Sequence, residues 1–97
     1  MTGQEFLEQL DGHFRRGEME AARDFLQKTY AEAVGEDDVS LQLTVLNEMM
    51  SYAGTRGQEE LGIAAVTECI RLIQEYGLQD NPSVGTMWMN MGIALYR

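Results

Sequence analysis

Few side chains in this sequence are of types that do chemistry, and their spacing argues against most of it. His13 is the one histidine and Cys69 the one cysteine. They stand far apart in the chain, and no second Cys or His lies at metal-ligand spacing from either. His13 falls beside Phe14 and off the apolar line of its segment, which reads as a surface residue. Cys69 falls on an apolar line and reads as a small hydrophobe. Glu36-Asp37-Asp38 lacks the alternating oxygen ligands and the closing Glu of a calcium loop. It reads as helix-capping charge, and Glu59-Glu60 as the acidic first turn of another helix. No glycine pattern for phosphate is present. The sequence therefore predicts no enzyme, no metal and no cofactor.

These side chains must be carried by a small frame. Ninety-seven residues make one domain. The net charge of −9 argues against nucleic acid, whose phosphates need clustered Lys and Arg. A lone cysteine allows no intrachain disulfide. The start, MTGQEFLEQL, has neither the basic nor the apolar run of a leader. No stretch reaches the roughly 18 apolar residues of a membrane span. A cytoplasmic protein with no membrane partner is expected.

Apolar residues recur at spacings of three and four, so the fold class is all-α. Thr2-Gly3-Gln4-Glu5 reads as a capping box. Phe6, Leu7, Leu10 and Phe14 follow as a stripe, and Gly17 breaks this first helix. A second carries Met19, Ala22, Leu26, Thr29, Tyr30 and Ala33 and stops at Gly35. A third shows Val45, Leu46, Met49, Met50 and Ala53 before a turn at Gly54-Thr55-Arg56-Gly57. A fourth shows Leu61, Ala65, Val66, Cys69, Ile70, Leu72, Ile73 and Tyr76 and is expected to be the most buried. Gly77-Leu78 reads as its Schellman ending. Asn81-Pro82 opens a fifth, which runs to Arg97. Short connections predict antiparallel hairpins.

Three segments share a frame: Leu7-x-x-Leu10-Asp11-x-x-Phe14, Leu46-x-x-Met49-Met50-x-x-Ala53 and Trp88-x-x-Met91-Gly92-x-x-Leu95. Their offsets are 39 and 42 residues. Ala22-x-x-x-Leu26 likewise matches Ala65-x-x-x-Cys69. The frame resembles the W-x-x-L-G-x-x-Y and A-x-x-x-F patterns of the tetratricopeptide repeat, in its long-period, kinesin-light-chain-like form. Asp11 and Met50 stand where the family has a small residue. The resemblance implies an alpha-alpha superhelix, a right-handed solenoid of about five helices in antiparallel hairpins. It divides residues 1–97 into repeat one (3–37), repeat two (38–80) and the first helix of repeat three (82–97), within an array that continues further. An irregular five-helix bundle is the alternative.

The resemblance also implies a function, a protein–protein interaction module holding a peptide or partner helix in a concave groove. Carried over position by position, the groove is lined by Glu8, Gly12, Asn47, Ser51, Met89 and Asn90, with Gln9 and Glu48 at the next positions. Members that hold a C-terminal carboxylate use Lys and Asn where this chain has Glu8 and Gly12, so a basic or neutral extended peptide is the expected ligand, with Glu5 and Glu8 at its acidic end. Two other functions stay open. One is a structural solenoid segment that self-associates, most simply as a homodimer, through Trp88, Met91 and Leu95. The other is a sensor domain of a bacterial signalling protein. The methionines are expected mostly in the core, with Met89 the exception.

Overall fold

The structure, a computed structural model, describes residues 1–78. Four helices follow one another: α1 (Gly3–Arg15), α2 (Met19–Gly35), α3 (Val39–Arg56) and α4 (Glu59–Glu75). Among the described residues there is no strand, and the fold is all-α. The expected fifth helix, with Asn81 and Pro82, lies outside them. The chain divides into two compact units, Met1–Val45 and Leu46–Arg97, with the boundary inside α3.

Each helix starts and stops for a local reason. The Thr2 hydroxyl accepts from the Glu5 amide at 3.1 Å, and the Glu5 carboxylate accepts from the Thr2 amide at 2.9 Å. This is the expected capping box. The Thr2 backbone bond, above all, holds the Glu5 carboxyl below its usual range. Asp38 opens α3 by accepting from the Leu41 amide at 3.0 Å. Glu18 and Gln58 open α2 and α4 with no such side-chain bond.

All four helices close in the same way. Among the described residues those at positive φ are Gly17, Asp37, Gly57 and Gly77, 20 residues apart throughout. After each, one amide reaches back to a carbonyl in the last turn: Glu18 to His13, Asp38 to Ala33, Gln58 to Ala53 and Leu78 to Ile73, all at 2.9–3.0 Å. These are Schellman closures, which satisfy carbonyls the helix would leave bare. Two expectations are corrected. Helix two ends at Gly35, as expected, but the left-handed residue after it is Asp37, at φ 54°, and not the glycine. Helix three does not turn at Gly54 but continues to Arg56, and Gly57 alone reverses the chain.

In the first unit α1 and α2 form a hairpin. Three residues join them, and the rings of Phe6 and Phe25 stack at 5.5 Å, each about two turns from the join. Phe6, Leu10, Ala22, Leu26, Thr29 and Ala33 are buried. Gln42, on α3, is buried as well and donates its amide to the Ala33 carbonyl at 3.4 Å. Leu7, expected on the core stripe, is 41% exposed, while Phe6 is 0% exposed. The buried line of α1 is therefore one residue earlier than the repeat frame has it. Steric logic explains this, because Phe6 finds a ring on α2 to stack on and Leu7 points about 100° away.

In the second unit the buried residues are Leu46, Met49, Met50, Tyr52 and Ala53 of α3, and Gly62, Ala65, Val66, Cys69, Leu72 and Ile73 of α4. Met49 and Met50 are core residues, as expected. Tyr76 and Leu61 are not: Tyr76 is exposed and Leu61 half-buried. The most buried helix is α3 rather than α4, with buried residues from Leu41 to Gly54. It contributes to both units, and a helix apolar on most of its circumference is a buried one.

The 20-residue cadence extends to the core. Phe6, Leu26, Leu46 and Val66 all follow it, and all are buried. So do Ala22, Gln42 and Gly62. The helix-pair period is thus 40 residues. In this register Gly62, not Ala65, answers to Ala22, and Val66, not Cys69, to Leu26.

Candidate functional site

The residues assigned to the groove by sequence fall into three sets. Glu8 and Gly12 lie one turn apart on α1, in the first unit. Glu8 is exposed and accepts a bond from the Gln4 side chain at 3.3 Å. Gly12 is half-buried, and the Arg16 guanidinium lies beside it, 3.2 Å from where a Cβ would stand. Glu5, expected to add charge here, spends its carboxylate on the helix cap. Asn47 and Ser51 lie one turn apart on α3, in the second unit. Both are half-buried, and both already make interactions of their own. Met89 and Asn90 lie outside the described residues, as do the self-association residues Trp88, Met91 and Leu95.

Glu48 adds a group to the α3 pair. It is three residues before Ser51, a helical neighbour, while Asn47, one residue before it, points about 100° away. Its side chain is half-buried, and burial pushes its carboxyl above the usual range. No ion pair or hydrogen bond reaches it among the described residues.

A second polar cluster was not foreseen. His13, read from sequence as a surface residue, is half-buried against the Phe25 ring at 5.5 Å. Its Nδ1 stands 2.9 Å from Glu18 Oε1, which also accepts from Arg16 Nε at 2.9 Å. The His13 bond first, and then the Arg16 bond, hold the Glu18 carboxyl below its usual range. The cluster spans the α1–α2 turn, where the imidazole and the Arg16 guanidinium both meet the Glu18 carboxylate. The signal was in the sequence: His13 stands seven residues after Phe6, on the same side of the helix.

The remaining candidates for chemistry have structural places. Burial pushes the Cys69 thiol up to about 11, so at neutral pH it is a thiol and not a thiolate. Asp38 caps a helix, and Asp37 occupies the left-handed position. Among the described residues no three His, Cys, Asp or Glu side chains gather to hold a metal ion. No helix among them is long and apolar enough to cross a membrane.

Comparison of the chain with family models, curated proteins and solved structures finds no match.

Proposed function

We propose that the chain is a tetratricopeptide-like interaction module that binds an extended peptide or a partner helix, with Glu8 and Gly12 the candidate contacts of the first unit and Asn47 and Ser51 those of the second. The observation that carries this reading is the cadence of helix endings, Gly17, Asp37, Gly57 and Gly77, with buried Phe6, Leu26, Leu46 and Val66 in step. A chain that spaces its helices this evenly is built from one repeating unit, and repeated helix pairs present successive equivalent faces to a long ligand. In the 40-residue register Glu8 answers to Glu48 and Gly12 to Tyr52, so Asn47 and Ser51 stand one position before the equivalents of Glu8 and Gly12. Placing the binding surface on helices rather than loops fits a scaffold whose turns are tight and stereotyped.

The test is chemical-shift mapping of the labelled protein with a panel of short extended peptides, neutral and basic. Shifts are expected at the amides of Glu8, Gly12, Asn47 and Ser51, and Asn47→Ala is expected to weaken binding. Shifts confined to the outer face of α2 or α4, or no shifts with any peptide, would exclude the groove.

A further inference from the structure

We draw no further inference here: the strongest candidate, the His13–Arg16–Glu18 side-chain cluster across the α1–α2 turn, turns its polar groups on one another, and nothing in the structure points from it to a ligand.

Discussion

At the scale of single residues, the closures of the four helices set up an internal comparison. Gly17, Gly57 and Gly77 take positive φ, and Asp37 does so with a side chain. The left-handed region costs an L-residue roughly 1–2 kcal/mol, less for Asp than for most. Asp37→Gly removes that strain but frees the unfolded chain, so a gain of about 0.5 kcal/mol is expected in urea unfolding. Gly17→Ala is expected to lose about 1 kcal/mol. Nothing stands within 4 Å of an added Cβ at Gly17, so that loss is conformational and not steric. Glu48 supplies a pH-dependent counterpart. Its folded-state carboxyl titrates above the ordinary 4.5. The folded state therefore binds the proton more readily than the unfolded one. The stability linked to that proton is complete below the ordinary value and is lost as pH rises through the raised one. Glu48→Gln should be more stable than the wild type at pH 7, with the advantage fading below about pH 4. An advantage that stayed constant over this range would show that ionisation is not its source.

At the scale of elements, helix starts were more legible than helix faces. The Thr2 box and the Asp38 cap were readable because capping depends on residues three apart, which sequence displays directly. The left-handed closure at Asp37 was hidden, since an Asp in that conformation leaves no glycine to mark it. The face of α1 was misread by one residue because Leu7-x-x-Leu10 and Phe6-x-x-x-Leu10 are both helical spacings. Only the ring of Phe25, on another element, decides between them. The same slip placed Glu5 in the groove and His13 on the open surface. Paired substitutions separate the two registers. Phe6→Ala should cost about 3–5 kcal/mol, while Leu7→Ala should stay within about 1 kcal/mol of the wild type. Equal losses at the two positions in thermal or urea unfolding would contradict the Phe6 register. On α4, Ala65 is 2% exposed, and Ala65→Leu should overpack its site at a cost of about 1–3 kcal/mol.

At the scale of the molecule, the 20-residue cadence makes a claim about architecture that insertion can test. If the proposed repeat is a pair of helices, a second copy of residues 18–57 placed between Gly57 and Gln58 preserves every local feature. The copy begins after a left-handed glycine and ends on one, and the order of buried positions is kept. It also adds an even number of helices, so the chain direction of α4 is unchanged. In a linear array, stability is approximately a sum of unit and neighbour terms, so added pairs extend the fold without breaking it. The longer protein is expected to gain helical circular dichroism in proportion and to unfold in one transition at an equal or higher urea midpoint. A copy of residues 18–37 alone is the control. It has the same turn chemistry but adds one helix, which reverses the direction of everything after it. That variant is expected to unfold at a lower midpoint or in two steps. Equal tolerance of both insertions would mean that the single helix, not the pair, is the packing unit. Loss of folding in the 40-residue insertion alone would remove the repeat on which the binding proposal stands.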